Sequence, residues 1–232
     1  MKRMMLTAIV ILLTLGADAS AEPVGNPSNL KLSEVEENNF GVTFESTVVF
    51  DRDLENGGAQ LDEAQDFYTR FFYQLAEFPV ELYVLAGLMQ FEVDRGVQYF
   101  DTDYGFAFGF GAESEIWTNG EGTAVGLGLQ YRRSEPDIDE STFGSRGDAT
   151  YQDWEVALKA SRELSEYFKP YAGVKYDDAR ISGVPGFASQ NSEHVVGLFG
   201  GADFTLTDEL TFNVETSIIS EYALTGGIEW KF

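Results

Sequence analysis

The residues of this chain that could perform nucleophilic chemistry lie close together. Ser192 and His194 stand two positions apart, and His194 is the only histidine among the 232 residues. A serine hydrolase needs its base within hydrogen-bond reach of the hydroxyl, and a third group that orients the base. Residues two apart on a strand share a face but lie roughly 7 Å apart, which is too far for that contact. We therefore interpret His194 as an isolated histidine at a strand end, with a hydrolase site near it that acts on lipid or peptide as the alternative.

Two acidic stretches could attract cations. Their carboxylates are Asp51, Asp53 and Glu55 in one stretch and Asp137, Asp139 and Glu140 in the other. Spaced carboxylates bind Ca²⁺, but the glycine and the distal bidentate glutamate of an EF-hand are missing from both stretches. The chain has no cysteine, which excludes thiolate zinc sites and disulfides. The sequence therefore predicts no catalytic, cofactor or metal site.

Arg146-Gly147-Asp148 has the sequence of the integrin-recognition tripeptide. A motif of three residues arises often by chance, and Gly-Asp is ordinary turn chemistry. We interpret the tripeptide as a solvated turn.

Composition restricts the class of partner. The formal net charge is −24, with 24 glycines and 14% aromatic residues. Such acidity argues against nucleic acid as a partner, because phosphates would be repelled. The high glycine and aromatic content argues against disorder.

The start of the chain reads as a secretory signal peptide. Lys2 and Arg3 precede an apolar run over residues 4–15, and Ala19-Ser20-Ala21 forms a small-x-small cleavage site. The run is too short to anchor the chain in a membrane as a helix. We predict cleavage after Ala21, a polar periplasmic lead-in over residues 22–38, and one domain over residues 39–232.

That domain reads as regular β-strands, most clearly at its end. In residues 221–232, the alternate positions Tyr222, Leu224, Ile228, Trp230 and Phe232 are apolar, and the positions between them are polar or small. A period of two indicates a strand, because successive side chains point to opposite faces. The predicted strands cover residues 40–50, 67–75, 80–91, 104–111, 123–132, 153–161, 168–177, 195–204, 210–218 and 221–232.

The spacing predicts an up-and-down antiparallel β-barrel of about ten strands, with eight as the alternative. Phe67, Phe71 and Leu75 also fit helical spacing, which leaves the second strand open between strand and helix. Long acidic connections, such as residues 51–65 and 178–191, alternate with tight turns. An even count puts both chain ends on one side.

A terminal alternating strand that ends in Phe232 resembles the C-terminal signature of bacterial outer-membrane β-barrel proteins. The resemblance implies residence in the cell outer membrane, contact with its lipid and lipopolysaccharide, and recognition of Phe232 by the barrel-assembly machinery. Outer-membrane lipases, palmitoyl transferases and lipid A deacylases similarly carry Ser and His near the rim, which is what the hydrolase alternative implies.

Alternation alone does not say which face meets lipid, since a soluble lipocalin-like barrel has the same period. Aromatic residues near strand ends favour the membrane reading. We therefore place charged residues in the lumen, where they could pair across strands; these are Glu155, Lys159, Lys175, Asp177, Glu229 and Lys231. A ten-strand lumen filled in this way predicts a plugged or narrow barrel. The expected function is structural or a loop-mediated interaction with an extracellular partner, with a narrow channel as a further alternative.

Overall fold

Ten antiparallel strands close into a barrel in the computed structural model, which describes residues 39–54, 59–75, 78–94, 99–138, 147–184 and 189–232. Two short strands, β4 and β9, lie at one end. The strands are β1 (Asn39–Leu54), β2 (Ala59–Gln74), β3 (Val80–Asp94), β4 (Tyr99–Asp101), β5 (Gly105–Thr118), β6 (Thr123–Glu135), β7 (Thr150–Arg162), β8 (Phe168–Ser182), β9 (Gln190–Asn191), β10 (Val196–Thr207), β11 (Leu210–Ile218) and β12 (Tyr222–Lys231).

Backbone pairing closes the barrel between its first and last strands. Successive barrel strands pair as neighbours, β8 pairs with β10, and β1 pairs with β12 from Gly41↔Lys231 to Asp51↔Tyr222. A closed barrel leaves no edge strand with unpaired backbone groups. The predicted all-β, up-and-down, ten-strand barrel is confirmed, and the eight-strand alternative is wrong.

The two faces of each strand differ as a membrane barrel requires. Apolar side chains point outward and stay exposed, as in Phe106 (62%) and Val84 (55%), while charged side chains point into the lumen, as in Asp177 (1%). A lipocalin-like barrel would show the reverse arrangement, so the lipid-facing assignment agrees with the structure. The aromatic residues that the sequence placed near strand ends point outward, including Phe40, Tyr104, Tyr176, Tyr222 and Trp230.

The apolar outer face has a defined height. On β3 the outward positions from Val80 to Leu88 are apolar, and the next outward positions are Gln90, Glu92 and Asp94. Nine residues at about 3.3 Å each, tilted about 40°, give a band about 23 Å tall, which is close to the apolar band of about 25 Å in an outer-membrane barrel. The strands continue past this apolar band.

The strands are longer than the sequence interpretation placed them. β1 continues to Leu54, β2 begins at Ala59, and β8 continues to Ser182, so the predicted loops 51–65 and 178–191 are largely strand. Their acidic residues face water on the outside, while apolar residues at alternate positions pack inside. β2 is a strand throughout, so its helical alternative is wrong.

The prolonged strands form a second, smaller ring above the membrane band, which we call the head. The head comprises the described residues within 53–65, 89–103, 133–151 and 178–195. Its backbone bridges join Thr102 to Ile138 and Asp137 to Asp148, and β9 pairs with β8. A bridge between Leu54 and Ser192 joins β9 back to β1. The head therefore closes directly from β8 to β1, and β10, β11 and β12 end below it.

The opposite end of the barrel has tight turns. Between β5 and β6 the Asn119 Oδ1 accepts hydrogen bonds from the backbone N–H groups of Glu121 (2.8 Å) and Thr123 (3.0 Å), and Gly120 takes a φ of 72°. An asparagine side chain that bonds its own turn, followed by glycine with positive φ, is a strong turn signal. This is one of the tight turns that the sequence predicts between the long connections.

Within the described part of the chain, no helix is long and apolar enough to cross a membrane. The predicted signal peptide (residues 1–21) and lead-in (residues 22–38) lie outside the described residues, as do Glu55, Asp139, Glu140 and Arg146.

Candidate functional site

Ser192 and His194 contact different groups in the structure. The Ser192 side chain is buried, where its Oγ accepts a hydrogen bond from the backbone N–H of Ala179 (3.2 Å) and lies 3.5 Å from the Ala179 carbonyl oxygen. His194 is half-exposed at the rim, where its Nε2 lies 3.7 Å from Asp53 Oδ2. The serine thus fixes β9 against β8, and the histidine contacts a carboxylate on β1.

The structure also gives positions for parts of the two acidic stretches and of the Arg-Gly-Asp tripeptide. No group of three metal-ligating side chains occurs among the described residues, which include Asp51, Asp53 and Asp137. Gly147 and Asp148 lie in the backbone ladder of the head, where the Gly147 carbonyl accepts a hydrogen bond from Ile138 N–H (2.9 Å). The described part of the tripeptide is therefore held in a ladder and is not a free loop tip.

The lumen contains many buried charged side chains. In its upper part, which lies next to the head, several of them contact Arg52. The Arg52 guanidinium donates to Asp177 (2.6 Å), to Tyr151 Oη (3.0 Å) and to Glu221. Lys175 lies 2.5 Å from Glu221 and 3.5 Å from Asp177. One network thereby joins β1, β7, β8 and the turn that precedes β12.

Two further sets of ion pairs lie in the upper lumen. Arg132 makes a two-point contact with Asp153, through Nε (3.1 Å) and through Nη2, and its Nη1 lies 3.9 Å from Asp66. Lys175 also lies 3.7 Å from Glu155. Buried charges are tolerated when they are paired in this way, because each lost hydration shell is replaced by a fixed partner.

In the lower lumen, which is the part farther from the head, several side chains contact Arg70. Its guanidinium donates to Glu113 (2.6 Å) and to Glu81, and it lies 4.0 Å from Glu45. The guanidinium carbon stands 3.8 Å from the centre of the Tyr83 ring, which is a cation–π contact. Arg70 therefore joins side chains of β1, β2, β3 and β5 across the barrel.

On the opposite wall of the lower lumen, aromatic and polar groups fill the space. Lys159 Nζ lies 3.6 Å from the centre of the Tyr171 ring. Asn213 Nδ2 donates to Tyr171 Oη (2.8 Å) and to Asp203 (3.0 Å). The lumen is thus filled from several strands by interlocked polar side chains.

The predicted lumen residues are inside, and their pairing is partly as expected. Lys175 contacts Asp177 (3.5 Å) and Lys231 contacts Glu229 (3.4 Å), but each of these pairs joins residues of one strand and does not cross between strands as predicted. Glu155 contacts Lys175, whereas Lys159 stacks on Tyr171. The sequence interpretation missed Arg52 because a β-bulge between Val49 and Asp51 turns it inward, and no local pattern signals that shift.

The head is closed by a mainly apolar core. Its inward apolar side chains are almost fully buried; they are Leu54, Leu61, Phe91, Val93, Phe100, Ile138, Ala149, Tyr151, Ile181 and Val184. The polar side chains of Thr102, Ser134 and Gln190 are also buried in the head. Phe91 packs edge to face on Phe100 (5.8 Å between centroids) and also against Tyr151 (6.0 Å). This core lies across the barrel axis directly above the Arg52 network, because Tyr151 belongs to both.

The outer surface of the head is acidic. Its exposed carboxylates are Asp53, Asp62, Glu63, Asp103, Glu135, Asp137, Asp148, Asp178 and Glu193. Among its described residues, Arg133 is paired with Glu135 (2.5 Å), and the other basic side chains are Arg180 and His194. A surface with this balance attracts cations and basic partners.

Comparison with known proteins identifies no family for this chain. No family model matches the chain, and no curated protein matches it. The transport unit of the autotransporter AIDA-I from Escherichia coli is similar in structure, with 11% identity, a TM-score of 0.49, and coverage of 87% of this chain and 92% of that one.

Two other solved barrels show a comparable likeness. The β domain of the Bordetella autotransporter BrkA has 12% identity and a TM-score of 0.49, over 84% of this chain and 100% of that one. Neisserial surface protein A (NspA) has 14% identity and a TM-score of 0.42, over 85% of this chain and 100% of that one.

Proposed function

We propose that this chain is a closed outer-membrane β-barrel that serves as a rigid, non-enzymatic scaffold for an extracellular head, and that the head binds a partner. The mainly apolar core of the head carries this proposal. It seals the barrel axis at one end, while the paired charges of the Arg52 and Arg70 networks fill the lumen below it. A pore for bulk solutes does not fit these two layers.

The head is a suitable binding element because it is ordered by its own packing. Its ladder closes from β8 through β9 to β1, and its apolar core needs no lipid. Binding residues placed on a rigid scaffold lose little conformational entropy when a partner docks. The exposed carboxylates of the head favour a partner with a basic surface, because complementary charge speeds encounter.

Labelling of intact cells tests the placement. The chain has no cysteine, so a maleimide would react with the introduced cysteine alone. Asp62→Cys lies on the outer surface of the head, and Glu166→Cys lies in the turn between β7 and β8 at the other end; both positions are exposed. A membrane-impermeant maleimide should label position 62 on intact cells and position 166 only after lysis. Labelling of position 166 on intact cells would reverse the orientation, and recovery of the protein in the soluble periplasmic fraction would refute the membrane placement.

The binding function and the absence of catalysis have separate tests. In nanodiscs, the protein should bind immobilised polylysine at low salt, and the variant Asp62→Asn/Glu63→Gln/Asp103→Asn should bind more weakly, with Glu166→Gln as the matched control. Equal binding by the wild type, the triple variant and Glu166→Gln would show that these carboxylates of the head do not attract a basic partner. His194→Asn should leave the lipid A and phospholipid profiles of expressing cells unchanged, and an altered profile would favour the hydrolase alternative.

A further inference from the structure

The head leaves one side of the membrane barrel uncovered. The head closes from β8 to β1 through β9, whereas β10 begins at Val196, β11 ends at Ile218 and β12 begins at Tyr222, all below the head. Among the described residues, the outer end of the lumen over these three strands is covered by residues 219–221, which we call the latch turn. A path through the lumen that avoids the core of the head would leave here, sideways.

The latch turn points into the lumen. Ser220 and Glu221 are each only 2% exposed, although they lie in a hairpin turn. The Glu221 carboxylate contacts Arg52 on β1 and Lys175 on β8, which are the two strands that flank the β10–β12 segment. One side chain thus ties the turn to both sides of the segment that it covers.

The latch turn also holds strain. Ile219 has a φ of 86° and is the only described non-glycine residue with positive φ. A β-branched residue in this region is unfavourable, and such strain persists only when the surrounding contacts impose it. Ile219 is 56% exposed, so its side chain gains little from packing. The contacts of Glu221 are the interaction that holds the turn in this conformation.

The lumen under the latch turn suits cations. Acidic side chains outnumber basic ones among its inward charged residues, which are Glu45, Asp66, Glu81, Glu113, Glu115, Asp153, Glu155, Asp177, Asp203, Glu215, Glu221 and Glu229 against Arg52, Arg70, Arg132, Lys159, Lys169, Lys175 and Lys231. An excess of carboxylates along a narrow passage raises the local concentration of cations.

We propose that the latch turn gates a narrow cation path that leaves the barrel sideways beneath the head, and that Glu221 holds this gate shut through Arg52 and Lys175. The inference relies on the proposed membrane placement, but it is independent of partner binding by the head. The resting barrel is closed, and displacement of the turn opens it.

Single-channel recording in planar bilayers with a KCl gradient tests the gate. The wild-type barrel should be silent or open rarely, and Glu221→Gln should raise the open probability about tenfold or more, since each factor of ten is a modest shift of a two-state equilibrium. The reversal potential should indicate cations. Glu193→Gln is the matched control, because Glu193 is an exposed acid of the same rim outside the lumen, and it should behave as the wild type.

A disulfide lock shows whether the current passes the latch turn. A Cβ placed on Gly197 would lie 3.1 Å from the Ser220 Cβ and 2.2 Å from its Oγ, so a small shift gives disulfide geometry. The pair Gly197→Cys/Ser220→Cys, added to Glu221→Gln, should silence the current when oxidised and restore it when reduced.

The outcomes separate the gate from the fold. The heat-dependent gel shift identifies folded barrels, and Glu221→Asp, which keeps the charge on a shorter side chain, replaces Glu221→Gln if the latter does not fold. A folded variant that stays silent, anion selectivity, or current that persists through the oxidised lock would each overturn the gate. A chain that never inserts into lipid would overturn the membrane placement and the gate with it.

Discussion

Arg52 shows how one buried cation can determine the stability of this barrel. It contacts Asp177, Tyr151 and Glu221, and its side chain is only 1% exposed. Removal of one partner from a buried ion pair leaves uncompensated charges and costs about 3–5 kcal/mol. The same side chain on the surface would contribute about 1 kcal/mol or less.

We therefore expect Arg52→Gln to lower the free energy of unfolding by roughly 3–5 kcal/mol. Arg180→Gln is the control, because Arg180 is exposed on the outer side of β8, and it should change stability by about 0.5 kcal/mol or less. Urea unfolding in lipid bilayers, followed by tryptophan fluorescence, measures both. Equal effects of the two substitutions would show that the Arg52 network does not hold the strands together.

Asp51 lies at the base of the head near groups of like charge, whereas Arg52 lies among groups of opposite charge. Partial burial raises the pKa of Asp51, and the carboxylates of Asp53 and Asp62 raise it further, while a hydrogen bond from Gln60 lowers it. A carboxyl whose pKa is raised on folding contributes stability at low pH, and that contribution is lost as the pH rises through the folded pKa.

Asp51→Asn should consequently stabilise the protein at pH 7 and have no such effect at pH 3, where the wild-type carboxyl is protonated. The gain should be about a few tenths of a kcal/mol, because solvent screens an exposed group. Unfolding midpoints at the two pH values measure the difference, and added salt should reduce it. A variant that is less stable at pH 7 would show that Asp51 is held by a favourable contact instead.

At the scale of elements, the head and the membrane barrel are two rings stabilised by different forces. The head buries apolar side chains inside and exposes carboxylates, whereas the barrel below it buries charges inside and exposes apolar side chains. Packing in water therefore stabilises the head, and the surrounding lipid and the ion pairs stabilise the barrel. The two rings should respond to different substitutions.

Phe100→Ala should loosen the head selectively. Phe100 is fully buried against Phe91, and truncation of a buried Phe costs about 3–5 kcal/mol. Because local opening exposes backbone to proteases, we expect new cleavage sites in the head while the gel shift of the barrel persists. Limited proteolysis with mass spectrometry locates the cuts. Phe106→Ala, on the lipid-facing surface of β5, is the control and should add no cuts in the head.

The strands of the membrane barrel could be predicted because their period is regular. The same period continues into the head, where Gln60 and Asp62 flank Leu61, and Arg180 precedes Ile181. The acidic composition of these stretches favours a loop, whereas their alternation is the signal that identifies them as strands. Closure of the head could not be predicted, since it depends on single bridges such as Leu54↔Ser192 between distant segments.

The lumen networks were predicted only in outline. Alternation placed Lys175 and Asp177 inside, and they are in contact. The inward turns of Arg52 and Glu221 depend on a bulge and on a left-handed turn, which are set by the closed barrel and not by neighbouring residues. Sequence periodicity identifies the face of a residue, but the partner that it meets across the barrel is decided by the shear of all ten strands.

At the scale of the whole molecule, the C-terminal residue closes the seam between β12 and β1. Phe232 N–H donates to the Phe40 carbonyl (2.9 Å), and the Phe232 ring stacks on Trp230 (5.7 Å between centroids). The ring is 75% exposed, so it contributes little burial within the protein. Loss of one such residue should cost at most about 1.5–3 kcal/mol, which a barrel with nine other strands tolerates.

Deletion of Phe232 should therefore act before folding and not on the folded barrel. If the assembly machinery reads this residue, as the resemblance to outer-membrane barrels implies, the truncated chain should be poorly recognised in cells and degraded in the periplasm. The same truncated chain, refolded from urea into detergent micelles, should give a folded barrel with a normal gel shift. Phe204→Ala, at the same end on β10, removes a ring but keeps the terminal residue, and it should reach the outer membrane at normal levels. Normal surface levels of the deletion, or its failure to refold in detergent, would show that Phe232 has no targeting role separable from stability.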